Sequence, residues 1–149
     1  MERKFWERTG PIIEAAMRVH SVLGPGLLES TYETCLAHEL RKRGLAVRVQ
    51  VPVPLVYDGI ELEVAYRLDL LVDDEIIVEV KGVTQLHPVH EAQLLTYLRL
   101  SHRRVGLLLN FHSLHLRNGI KRMVNGWEHG ARPLTIGVSS TDTTSAIRR

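Results

Sequence analysis

Apolar positions along this chain recur with a helical period in some stretches and a strand period in others. Over residues 11–23, Ile12, Ile13, Ala16, Val19, His20 and Leu23 share one helical face, and Pro11 suits a helix start. Gly24-Pro25-Gly26 stops that helix in a tight turn. A second helix is predicted over about 28–43, with Leu28, Tyr32, Cys35, Leu36 and Leu40 as its apolar stripe and Gly44 as its terminator. Residues 45–56 alternate toward a strand. Pro52 and Pro54 cannot donate ladder hydrogen bonds, so this is an edge strand. Tyr57-Asp58-Gly59-Ile60 carries the Asp-Gly hairpin signal. Strands are predicted over 61–72 and 76–81, joined through Asp73-Asp74-Glu75, and then a helix over 89–101 with Ala92, Leu95, Leu98 and Leu100 apolar. An apolar strand follows over 105–110. Residues 113–117 are a candidate further strand, and 119–125 either a short helix or an extended end. The order α-α-β-β-β-α-β-(β) is that of an α/β (α+β) fold, a mixed sheet with helices against it.

From about Ala131 the chain turns to Ser, Thr, Gly and Asp, too poor in apolar residues to pack. A single domain over 1–130 and a mobile tail over 131–149 are expected. The length of 149 residues suits one domain with a real core, and 24% charged and 44% hydrophobic residues are ordinary for a soluble protein. A net charge of +2 is too small to argue for nucleic acid by itself. The single cysteine, Cys35, excludes an intrachain disulfide and a cysteine-based zinc or iron–sulfur site, and fits a reducing cytoplasm. No apolar run approaches the roughly 20 residues of a membrane span, and no apolar stretch follows the N-terminal basic residues as a signal peptide requires, so no membrane partner is expected.

Three charges stand out against this pattern. Asp69, Glu79 and Lys81 lie inside runs of aliphatic residues that normally bury in a sheet, where an unpaired charge is costly. Glu79 and Lys81 share a face because side chains alternate along a strand. A three-residue loop, Asp73 to Glu75, pairs Val72 with Ile76 and brings Asp69 opposite Glu79, with Cβ atoms roughly 5 Å apart. A two-residue loop would send them to opposite faces. Two carboxylates at that separation can share a divalent cation. Glu29, in the first turn of the second helix, lies beside the apolar stripe and is a candidate third carboxylate. Together with Lys81 the set carries a charge of about −2, which matches Mg2+ or Mn2+. Such an ion polarises a phosphoryl oxygen and activates water, and a lysine alongside positions or deprotonates that water. Gln93 and Tyr97, spaced i, i+4, share a helix face and can support Lys81, the water or a phosphate.

Each residue has a plainer reading on its own: Asp69 a surface acid, Glu79 and Lys81 an exposed strand pair, Glu29 a helix-start acid, Gln93 a solvated position, Tyr97 a core-edge aromatic. Their conjunction within apolar strands favours a site. Basic clusters at Arg41-Lys42-Arg43, at Arg99 with His102-Arg103-Arg104, and at Arg117 with Lys121-Arg122 can meet a phosphate backbone or simply solvate helix ends. His87 and His90 offer a zinc pair without further ligands nearby, or a residue at the site's rim. Cys35 reads as a core thiol. Gly24-Pro25-Gly26 lacks the Lys-Ser/Thr of a phosphate-binding loop, so no nucleotide cofactor is expected.

The segment Gly26-Leu27-Leu28-Glu29-Ser30-Thr31-Tyr32 resembles the signature of the GxxExxY protein family, within the PD-(D/E)XK nuclease superfamily. The likeness runs through Ala65-Tyr66-Arg67-Leu68-Asp69, Val78-Glu79-Val80-Lys81, His90 to Tyr97 and Gly106 to Phe111, over about residues 10–125. It implies an α/β core with a central mixed sheet, magnesium held by Asp69 and Glu79, Lys81 as the catalytic lysine and Glu29 completing the site. Gln93 and Tyr97 look like the glutamine–tyrosine motif of RecB-like exonucleases. Leu68 stands where the superfamily's name places proline. The iron–sulfur cysteines of some relatives are absent, so no cluster is expected. The reading is a magnesium-dependent nuclease acting on DNA. Its alternatives are a non-catalytic binding or self-assembling protein, a homo-oligomer that keeps the nuclease fold, and, more weakly, a hydrolase of small phosphate esters.

Overall fold

Left-handed backbone at two hairpin turns sets the register of the sheet. The computed structural model describes residues 2–126, in the order α1 (Glu2–Leu23), α2 (Glu29–Lys42), β1 (Val47–Tyr57), β2 (Ile60–Val72), β3 (Ile76–Lys81), α3 (Pro88–Leu100), β4 (Val105–Asn110), a short 3-10 turn (Leu116–Gly119) and β5 (Ile120–Val124). The five strands lie in chain order across one sheet. Asp58 (φ 48°) and Gly59 (φ 79°) turn β1 into β2, and Asp73 (φ 52°) and Asp74 (φ 55°) turn β2 into β3. Both pairs match the twist that a tight hairpin demands. The three-residue loop holds as expected: Val72 pairs with Ile76, Leu71 with Ile77 and Leu70 with Val78. β3 runs parallel to β4 through the α3 crossover, and β5 returns antiparallel. β1 is one of the two edge strands, with β5 the other, and Pro52 and Pro54 lie in β1.

Two apolar layers sandwich the sheet. Ile12, Ala16 and Val19 of α1 and Tyr32, Leu36 and Leu40 of α2 pack on Leu70, Val78, Val80, Leu107 and Leu109. Leu94 and Leu98 of α3 pack on Leu68, Leu71, Ile77 and Leu108 of the opposite face. This is the mixed α/β architecture expected. Among the described residues, no helix is long and apolar enough to cross a membrane.

Several expectations need correction. Pro11 does not start α1 but lies inside it. The preceding turns are held by tertiary contacts that offset one missing backbone hydrogen bond: Thr9 is buried, Trp6 packs on the core, Arg8 pairs with Glu75, and Arg122 donates to Thr9 Oγ1 at 3.2 Å. Leu28 is 75% exposed, because it precedes α2 in extended backbone. Ala92 is exposed too, and Leu94 takes the buried place. Residues 113–117 form no strand. They turn into the 3-10 segment, and of the two alternatives for 119–125 the extended one is realised, as the fifth strand over residues 120–124. The expected tail over 131–149 lies outside the described residues.

Tyr32 ties helix to loop. Its hydroxyl donates to the Gly24 carbonyl at 2.5 Å and accepts from the Leu27 N–H at 3.0 Å, and its ring stacks on Phe111 at 4.6 Å. The side chain is fully buried, so losing the hydroxyl strands both loop groups. Tyr32→Phe is expected to cost about 1–3 kcal/mol in urea unfolding, the range for an unpaired buried polar group.

Candidate active site

β2 and β3 part company at Asp69, and carboxylates take over from the ladder. The last backbone pair is Leu70 with Val78. Beyond it, Asp69 Oδ2 accepts the Val80 N–H at 2.9 Å, and Glu79 Oε1 receives the Asp69 N–H at 3.4 Å. Strand alternation slips at the same place. Leu70 and Val72 face the α1/α2 layer, yet Leu68 joins Leu71 in the α3 layer. On β1 the slip falls at Gln50, between Val47 of one layer and Val51 of the other, and Gln50 adopts φ 51°, a left-handed backbone rare for its type. Asp69 and Gln50 thus meet at the fault. Gln50 Nε2 reaches Glu33 Oε1 at 2.8 Å and Asp69 Oδ1 at 3.4 Å.

The other expected residues gather at the end of β3. Lys81 Nζ donates to Gln93 Oε1 at 2.7 Å, and Gln93 Nε2 reaches the Tyr97 hydroxyl at 3.4 Å. Glu29 lies one residue further along, with Oε2 accepting the Gly82 N–H at 2.7 Å. A Cβ on Gly82 would come within 3.2 Å of Glu29 Cγ, so the missing side chain makes room for that carboxylate. Asn110, buried on β4, clamps the segment that follows. Its Oδ1 accepts the Val83 N–H at 3.1 Å, and its Nδ2 donates to the Val83 carbonyl at 2.8 Å.

Glu79 is 2% exposed, and burial pushes its carboxyl up to about 9, with the charge of Asp69 adding to the effect and Lys81 opposing it. Glu33 is also raised, by burial and then by Asp69 and Glu29, against the hydrogen bond from Gln50. The acids therefore sit against their own repulsion. Among the described residues, no three Asp, Glu, His or Cys side chains converge as a protein-only metal cage requires. Mg2+ seldom has such a cage, since one or two carboxylates plus phosphate oxygens and waters suffice. The all-oxygen pair Asp69 and Glu79 fits a hard divalent cation.

Gln50 and Asn110 carry no local signal in the chain that sets them apart. Glu33 could have been found, because it follows Glu29 by one helical turn on the same side as Tyr32. Gln50 and Asn110 act across elements, and no local spacing reveals that. The histidine pair serves the helix: His90 Nδ1 accepts the His87 N–H at 2.9 Å at the start of α3. Cys35 packs against the α1/α2 core while keeping partial exposure. Much of the basic charge is spent within the protein. Arg41 bonds the Val47 carbonyl, Arg43 pairs with Glu39 and Glu14, and Arg103 and Arg48 both hold Asp74. Arg117 and Lys121 are exposed.

A family model described as the PD-(D/E)XK nuclease superfamily matches residues 7–123. No curated protein and no solved structure matches the chain.

The raised carboxyl has a measurable consequence. Folded Glu79 keeps its proton up to about 9, whereas an ordinary glutamate loses it near 4.5. Between these values the folded state binds more protons than the unfolded one, so stability falls as pH rises. In chelator, the melting temperature is expected to drop steadily from pH 5 to pH 9, and Glu79→Gln should flatten that slope. An equal slope in both proteins would refute the assignment.

Proposed function

Because the chain belongs to the PD-(D/E)XK nuclease superfamily, we propose that it hydrolyses DNA phosphodiester bonds with magnesium, using Lys81 as its catalytic lysine. The observation that carries this reading is the meeting of Asp69 and Glu79 at the parted strands, two residues along β3 from a lysine held by Gln93. Asp69 and Glu79 would hold the ion, with Mn2+ as a substitute. When bound, the ion supplies a Lewis acid for a phosphoryl oxygen and makes a water more acidic. Lys81 orients the attacking water and offsets the negative charge that builds on the phosphate. Gln93 fixes the Nζ atom of Lys81, and Tyr97 backs Gln93. Glu29 is the assisting carboxylate: it braces the strand end at Gly82 and deepens the negative potential that draws a cation. Exposed Arg117 and Lys121 are candidates for backbone phosphates. Gly26, Glu29 and Tyr32 support placement in the GxxExxY group, with one nuclease domain over 1–130 and a cytoplasmic setting that the lone cysteine favours.

A second reading, a self-assembling protein that keeps the fold without cutting, draws on the β1–β2 hairpin. Its tip carries exposed Tyr57, Ile60 and Leu62 on strands that pair beyond the reach of β3. Light scattering on the eluted protein separates a homo-oligomer from a monomer.

The deciding assay offers linear duplex, circular duplex and single-stranded DNA with Mg2+, Mn2+ or chelator. Cleavage should need the metal. Lys81→Ala and Asp69→Asn should each lower it by at least about 100-fold while circular dichroism stays unchanged. Cleavage that persists in Lys81→Ala would sink the mechanism.

A further inference from the structure

We propose that the hollow beside Tyr66, walled also by Gln93 and Tyr97, is a nucleobase slot, which receives the unpaired base next to a phosphate held at Lys81. The proposal rests on the nuclease reading above and narrows its substrate to strands whose bases can leave the stack. The hollow measures about 260 Å3 and is lined by Leu55, Tyr66, Gln93, Thr96, Tyr97 and Leu100. Drug-sized ligands occupy roughly 300–1,000 Å3, so this space suits a single flat heterocycle. Its walls are two leucines and two aromatic rings. Its polar groups are the Gln93 amide, the Thr96 hydroxyl and the tyrosine hydroxyls. A nucleobase has the complementary pattern, apolar on both faces and hydrogen-bonding around its edge. Tyr66 remains 44% exposed, with its ring 6.5 Å from that of Tyr97 and tilted by 52°. That ring keeps solvent-exposed surface for an occupant to bury.

Continuity with Lys81 identifies the occupant. Gln93 forms one wall of the slot, and the same side chain accepts the Lys81 hydrogen bond at 2.7 Å. A phosphate paired with Lys81 therefore lies one side chain away from the slot, and the sugar links that phosphate to a base. A base inside a duplex has both faces covered by its neighbours. Reaching Tyr66 requires unstacking, which costs least in single strands and at frayed ends. Stacking on an aromatic ring tolerates every base, so the slot selects for strandedness and not for sequence.

The test separates binding from cutting. Full-length protein in chelator is titrated with a fluorescein-labelled single strand and with a fully abasic strand of equal length and charge. Wild type should bind the intact strand at least about fivefold more tightly, the lower end of the stacking range. Tyr66→Phe should keep that preference, and Tyr66→Ala, checked by thermal melting, should bind both strands alike. A preference that survives in Tyr66→Ala, or no preference in wild type, overturns the slot. With Mg2+ added, wild type should cut single strands and frayed ends faster than duplex interiors, and equal rates overturn the strand selectivity. The expected binding pattern without any metal-dependent cleavage supports the slot and refutes the nuclease reading instead.

Discussion

A sheet cannot open without leaving backbone groups unpaired, and everything around Asp69 follows from how this protein meets that constraint. Where β2 leaves β3, the N–H groups of Val80 and Asp69 would lose their partners inside a half-buried fold. The side-chain carboxyl oxygens of Asp69 and Glu79 accept them instead. The same bonds pin both acids, so the strand parting and the fixing of the carboxylates are one event. The slip of alternation at Gln50 and Asp69 lets the two strands change layers together, and it gives α2 access to the aspartate through Gln50 and Glu33.

The arrangement trades stability for electrostatic readiness. Burial and the charge of Asp69 together outweigh Lys81 in setting the state of Glu79. Glu33 feels both Asp69 and Glu29. An ordinary core would replace such groups with apolar ones, because an ion pair underground rarely recovers its desolvation cost. Groups with strongly shifted proton affinity concentrate at working sites for this reason. Behind them, Asn110 on β4 and the Gln93–Tyr97 pair on α3 hold the segment from Lys81 to Val83 from two sides.

The fold was legible wherever a local rule decided it. Asp58-Gly59 and the three-residue Asp73–Glu75 loop set the hairpins, the apolar period marks α2 and α3 as helices though the buried face of α3 runs through Leu94 and not Ala92, and the paired prolines mark an edge. Errors came where tertiary contacts overruled local preference. Pro11 was absorbed into α1 because Trp6, Arg8 and Thr9 hold the turns before it. The spacing of Leu28 points it to the core, but it falls just before the helix that would turn it inward. Residues 120–124, open between helix and extended chain on local grounds, become β5 by pairing with β4.

For the site, the sequence by itself determined that Glu79 and Lys81 share a face and that a three-residue loop sets Asp69 opposite Glu79, because strand parity and turn length are local properties. It also put Gln93 and Tyr97 on one side of a helix. Only the tertiary structure decided that α3 lays that side against Lys81, that Glu29 reaches Gly82 at the end of β3, and that Gln50 and Glu33 join the aspartate. These are contacts between elements far apart in the chain. They depend on where the strands part and how the helices pack, and neither is written in the spacing of residues along one element.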